Sequence, residues 1–134
     1  MTEKQQWTWN DGWILMALYL SGKDQGAELY EIIAVADAIN HAIPTAQEMS
    51  FAFTKFLRCG IVQENECKYS IVSDYLSALK KAYEGRGGLF SSGNKGLKWL
   101  QKAGLTAQGS EIFEFTEKQM ETAYDQYIKP IRQK

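Results

Sequence analysis

The chain has 134 residues, 45% of them hydrophobic and 13% aromatic, which supplies enough apolar surface for one buried core and too little length for two full-sized domains. Its formal net charge of -1 gives the molecule as a whole no electrostatic attraction for nucleic acid or for an anionic membrane. The longest apolar run, residues 13–20, is far shorter than the roughly 20 residues a membrane helix needs.

No apolar signal core with a small-residue cleavage site opens the sequence, and two cysteines, Cys59 and Cys67, are too few for a disulfide framework. The expected location is the cytoplasm. Charge is unevenly spread. Over residues 80–102 the cations Lys80, Lys81, Arg86, Lys95, Lys98 and Lys102 face only Glu84, a local net charge of +5.

Asn10 is placed to cap a first helix whose initial turn carries Asp11, and the run that follows is apolar nearly all round, as a helix buried in a core must be. Gly22 is its expected stop. Leu29, Ile32, Ile33, Ala36 and Ile39 recur at spacings of three and four, which predicts a second amphipathic helix over residues 27–41. Pro44 ends that pattern. Thr45-Ala-Gln-Glu48 has the form of a capping box, and Met49, Ala52, Phe53, Phe56 and Leu57 make the apolar stripe of a third helix that Gly60 terminates.

Residues 61–64 and 67–72 are two β-prone runs separated by Asn65-Glu66, which reads as a hairpin. Ser73 is expected to cap a fourth helix through about Glu84. Five glycines and two serines over residues 85–96 have the composition of a surface loop and hinge. A short helix with Leu97, Trp99 and Leu100 follows. Ser110 is then expected to cap a last helix, with Ile112, Phe113, Met120, Tyr124, Tyr127 and Ile128 at helical spacing until Pro130 ends it.

The fold class expected is therefore mostly α with a small β-hairpin. The stretch Phe56-Leu-Arg-Cys-Gly-Ile-Val-Gln-Glu64, followed by Lys68-Tyr-Ser-Ile71 and another helix, resembles the winged helix-turn-helix domains of bacterial transcription regulators of the multidrug-resistance and phenolic-acid-repressor type. The resemblance implies a winged-helix core within residues 1–84; composition and periodicity add a Gly/Ser-rich loop at 85–96 and a C-terminal helical extension of the same domain at 97–134.

The resemblance also implies that the third helix lies in the major groove of duplex DNA, with Gln47, Ser50, Thr54, Lys55 and Arg58 outward and Lys68 the cation near the wing, while Lys98 of the basic stretch is a separate candidate for phosphate contact. Gln47 is suited to reading adenine. Glu48 sits among these residues, Phe51 is predicted on the solvent side, and Glu64 and Glu66 make the wing acidic where phosphate would approach. Two readings thus stand side by side: a DNA-binding or transcription-regulatory protein, and a winged-helix protein-interaction module without nucleic-acid binding.

The +5 stretch, interleaved with Tyr83, Phe90 and Trp99, is a second place where a nucleic-acid backbone could be held. In the last helix, Phe113, Met120, Tyr124 and Tyr127 form a stripe too large to leave in water, so it either dimerises the chain or packs within it, and a homodimer is the expectation. Gly85-Arg-Gly-Gly88 lacks the spacing of a phosphate loop. His41 is the only histidine, and with Cys59 and Cys67 it matches no metal-ligand spacing. Carboxylates are scattered rather than paired. Neither an enzyme, a cofactor nor a metal site is expected.

Overall fold

In the computed structural model, residues 5–23, 25–88 and 91–132 are described. The chain runs α1 (Trp9–Gly22), α2 (Leu29–Asn40), α3 (Ala46–Arg58), β1 (Val62–Asn65), β2 (Lys68–Ile71), a 3-10 turn (Ser73–Tyr75), α4 (Leu76–Tyr83), α5 (Ser92–Lys102) and α6 (Glu117–Arg132). It is a mostly helical fold with one small hairpin. No helix among the described residues is long and apolar enough to cross a membrane.

The apolar run of α1 is explained by its position at the centre. Ile14, Leu15, Met16, Ala17 and Leu18 are completely buried, because α2, α3, α5 and β2 all pack against this helix. The cap, however, is Thr8 rather than Asn10. The Thr8 hydroxyl accepts the Asp11 N–H while the Asp11 carboxylate accepts the Thr8 N–H, a reciprocal box that a residue two positions later cannot make.

Helix α2 begins two residues later than the periodicity predicts. Ala27 is instead extended and exchanges both main-chain hydrogen bonds with Tyr69, at 2.8 Å each, adding a one-residue bridge to the free edge of β2. Helix α3 starts at the expected box, with Thr45 and Glu48 satisfying each other's amides, and ends at Arg58, followed by Cys59 as C-cap and Gly60 with a φ of 73°.

The hairpin pairs Val62 with Ile71 and Asn65 with Lys68, which moves the turn from Asn65-Glu66 to Glu66-Cys67. Both turn residues have positive φ, 51° and 66°, as the twist of a two-residue hairpin requires. Cys67 is consequently an exposed turn residue and not part of a strand. Ser73 does not cap α4, because a 3-10 turn intervenes and Ser73 lies inside it.

The expected loop over residues 85–96 is shorter than its composition suggests. Helix α5 already begins at Ser92, and Gly93 and Gly96 are buried in it. A Cβ on Gly96 would collide with the Gly12 carbonyl, and one on Gly93 with the Trp9 ring. These glycines therefore let α1 and α5 cross with their backbones in contact. They are packing residues rather than hinge residues.

The largest departure lies after α5. Ser110 caps no helix, and residues 111–115 lie outside any helix or sheet strand, with Phe113 and Phe115 turned inward and Ile112 and Glu114 outward in strand-like alternation. Thr116 caps α6 instead, in a box with Gln119. Pro130 lies inside α6, which continues to Arg132. That helix packs on α2 of the same chain, where the Tyr127 hydroxyl donates to Asp37 Oδ2 at 2.7 Å.

Candidate interaction site on the third helix

The stripe of Met49, Ala52, Phe53 and Phe56 buries one side of α3 and leaves the other facing outward. Ser50, Thr54 and Arg58 follow each other at intervals of four on one flank of that outward side. In the structure this flank is occupied by residues 111–115. The Thr54 hydroxyl accepts the Phe113 N–H and donates to the Phe113 carbonyl, each at 2.9 Å. Ser50 Oγ accepts the Phe115 N–H at 2.9 Å and stands 3.3 Å from the Phe115 carbonyl, and it also donates to Ala46. Arg58 Nε donates to the Glu111 carbonyl at 2.8 Å, while the Arg58 carbonyl accepts from Gln108 N–H.

The match has a geometric cause. Four helical residues rise about 6 Å, and two extended residues advance about 6.6 Å, so side chains four apart on α3 meet main-chain groups two apart on an antiparallel strand. Alternation then turns Phe113 and Phe115 to the same side. Phe53, Tyr69, Phe113 and Phe115 form an aromatic cluster with ring centroids 4.9 to 6.1 Å apart, mostly edge to face.

The opposite flank is tied to the N-terminal segment. Lys55 Nζ donates to Asp11 Oδ2 at 2.6 Å, the one ion pair among the described residues, and Asp11 is only 2% exposed. The same ammonium lies 6.0 Å from the Trp7 ring. Glu48 completes its capping box and accepts a further bond from Asn10 Nδ2.

Of the residues expected to contact DNA, Ser50, Thr54, Lys55 and Arg58 are brought together on α3, but each already holds another part of the chain. Their polar groups replace the water that a solvent-facing helix would use. Gln47 is exposed, and the neighbouring Phe51 is 60% exposed. Lys68 stands apart on β2 and Lys98 on α5, both exposed, so neither joins the α3 group.

The basic stretch divides in the same way. Lys95 is spent on the structure, donating to the carbonyls of Tyr83 and Gly87 and lying 5.1 Å from the Tyr83 ring. Lys80, Lys81, Arg86, Lys98 and Lys102 remain exposed. Trp99 is half-buried edge-on against Tyr75, and Phe90 lies outside the described residues.

The residues expected at a dimer interface are occupied within the chain. Phe113 belongs to the aromatic cluster and not to α6, Met120 is buried, and Tyr127 is bonded to Asp37; Tyr124 is half-buried. Much of the stripe is thus covered within the chain: Met120 is buried, and Phe113, Tyr124 and Tyr127 are half-buried.

Glu111 and Phe115, which dock on α3, lie in a stretch whose periodicity was expected to be helical. Two signals were present: Phe113 and Phe115 alternate at the strand period, and Thr116-Glu-Lys-Gln119 has capping-box form. No family model matches the chain, and no curated protein or solved structure matches it.

Proposed function

We propose that the protein is a cytoplasmic protein-interaction module on a winged-helix frame, and that it does not read duplex DNA through its third helix. The frame is supported by element order: three helices, a hairpin whose second strand also bridges Ala27 ahead of α2, and a following helix.

One observation carries the functional reading: Ser50, Thr54 and Arg58 are bonded to the chain's own residues 111–115. A recognition helix must lay that face in the major groove. Here residues 111–115 lie along it and add the exposed Glu111 and Glu114 where phosphates would have to approach. Phosphate contacts dominate DNA affinity. The outward residues that α3 keeps free of such bonds are Gln47 and the large apolar Phe51, a pairing suited to a protein partner.

Fluorescence anisotropy with duplex DNA across a salt series, together with affinity purification of wild type and Phe51→Ala, tests the reading. We expect no DNA binding that depends on Gln47, and a stoichiometric partner that Phe51→Ala no longer retains. Salt-dependent DNA affinity abolished by Gln47→Ala would overturn it.

A second reading is favoured by the exposure of Lys80, Lys81, Arg86, Lys98 and Lys102, none of which is ion-paired among the described residues. These cations suit contact with a nucleic-acid backbone without sequence readout. DNA affinity lost in Lys98→Glu and unchanged in Gln47→Ala would favour this reading.

A further inference from the structure

We infer that residues 112–114 are a strand-addition edge that takes an extended, basic segment of another protein. The inference rests on the interaction-module reading and specifies its partner.

Extended backbone directs the N–H and C=O of alternate residues to opposite sides. Both groups of Phe113 are bonded to Thr54, and both of Phe115 face Ser50, so the odd-numbered residues point toward α3. The N–H and C=O of Ile112 and Glu114 must then point away. Among the described residues they have no main-chain partner. The result is a short strand with one edge satisfied by hydroxyls and the other open, the arrangement that β-addition uses.

The edge is also accessible and prepared. Residues 108–112 and 114 are exposed, and Ile112 stands out at 75%. Its register is fixed by three successive anchors on α3, by the buried ring of Phe115 and by the half-buried ring of Phe113, so little ordering remains to be done when a partner strand arrives. Next to it lies a cavity of ≈ 370 Å³ between the segment and α3, lined by Thr54, Leu57, Arg58, Gln108, Ile112 and Phe113.

Charge selects the occupant. Glu111, Glu114, Glu117 and Glu121 are exposed along and just beyond the edge, with Lys118 the only cation over residues 111–121. A second copy pairing antiparallel would set this acidic strip against itself. A segment alternating Lys or Arg with apolar residues would instead place its cations on the outward face beside Glu114 and its apolar groups on the inward side, toward Phe113.

The test titrates the full chain with a fluorescent nine-residue peptide of alternating Lys and Val, and with its Glu/Val counterpart. Glu114→Pro removes an edge N–H while leaving the bonded amides of Phe113 and Phe115 untouched, at a position outside any helix or sheet strand. We expect saturable binding of the Lys/Val peptide, weakened about tenfold or more in Glu114→Pro with unchanged circular dichroism. Glu114→Lys keeps the N–H and should shift preference toward the Glu/Val peptide, which a folding defect cannot do.

No saturable Lys/Val binding, or binding indifferent to Glu114→Pro, overturns the edge proposal and leaves the interaction-module reading to its own partner test. Concentration-dependent dimerisation that Glu114→Pro abolishes would overturn the basic-segment assignment in favour of a second copy. Failure of the parent reading shows separately, as Gln47-dependent DNA affinity.

Discussion

The single hydroxyl of Thr54 closes both main-chain groups of Phe113, accepting its N–H and donating to its carbonyl at 2.9 Å each. A helix side chain thereby does the work of a neighbouring strand. The arrangement makes the 111–115 segment dependent on two hydroxyls, those of Ser50 and Thr54, for satisfaction of otherwise unpaired peptide groups.

Thr54→Val keeps shape and removes the hydroxyl, leaving the Phe113 N–H and C=O partly buried without partners. The expected loss is about 1 to 3 kcal/mol, read as a lower denaturant midpoint at unchanged slope. Thr54→Ser should retain most of the stability, because it keeps the donor and acceptor. Equal loss in both variants would show that packing of the methyl, not the hydroxyl pairing, holds the segment.

Asp11 is buried and depends on Lys55, whose side chain is only 22% exposed. Lys55→Met should destabilise the fold by about 3 kcal/mol, the lower end for breaking a buried pair, because the carboxylate keeps the Thr8 N–H. Thermal unfolding of Lys55→Met and of Asp11→Asn/Lys55→Met will check it. The double variant should recover part of the loss, since no uncompensated charge then remains.

Gly96→Ala carries two opposed effects. Alanine favours a helix over glycine by about 1 kcal/mol. Against this, the added methyl meets the backbone of Gly12, which cannot rotate aside as a flexible side chain can. The net result should be a loss of about 1 to 3 kcal/mol from overpacking. A neutral or raised melting temperature would mean that α1 and α5 separate easily.

Cys67 holds a φ of 66° at the hairpin turn, a conformation that costs an L-residue energy and glycine very little. Cys67→Gly should therefore stabilise the protein by about 1 kcal/mol. Chemical denaturation will measure it, with no change expected in the circular dichroism of the native state.

Tyr127 donates to Asp37, and that hydrogen bond, followed by partial burial, raises the phenol above its ordinary value. A group whose folded pKa is raised contributes stability that is complete below its unfolded value, about 10, and is lost as pH climbs through the folded value. Stability should thus fall on the alkaline side. Burial, and then the Glu64 carboxylate, raises Tyr69 in the same direction, so Tyr127→Phe should reduce the alkaline loss without abolishing it. Melting temperatures from pH 8 to 11 will decide; an identical slope in wild type and Tyr127→Phe would exclude this linkage.

Local chemistry was enough to read much of the frame. The Thr45 box, the Gly60 stop, the buried run of α1 and the i, i+3, i+4 stripes of α2 and α3 are set by interactions within a few residues, so their signals lie in the sequence itself. The short-range misreadings, Asn10 for Thr8 and Ser110 for Thr116, arose where two candidate caps lay close together and the true box was the one with a reciprocal partner.

What only the tertiary structure decided was the use of the polar residues. Ser50, Thr54, Lys55 and Arg58 have the composition of a solvent face, and no local rule distinguishes hydroxyls that meet water from hydroxyls that meet a strand 59 or 65 residues away. Gly93 and Gly96 likewise look like a loop until the Gly12 backbone arrives beside them. Periodicity reports which side of an element is apolar; which partner covers the polar side depends on contacts distant in sequence, formed only when the chain is folded.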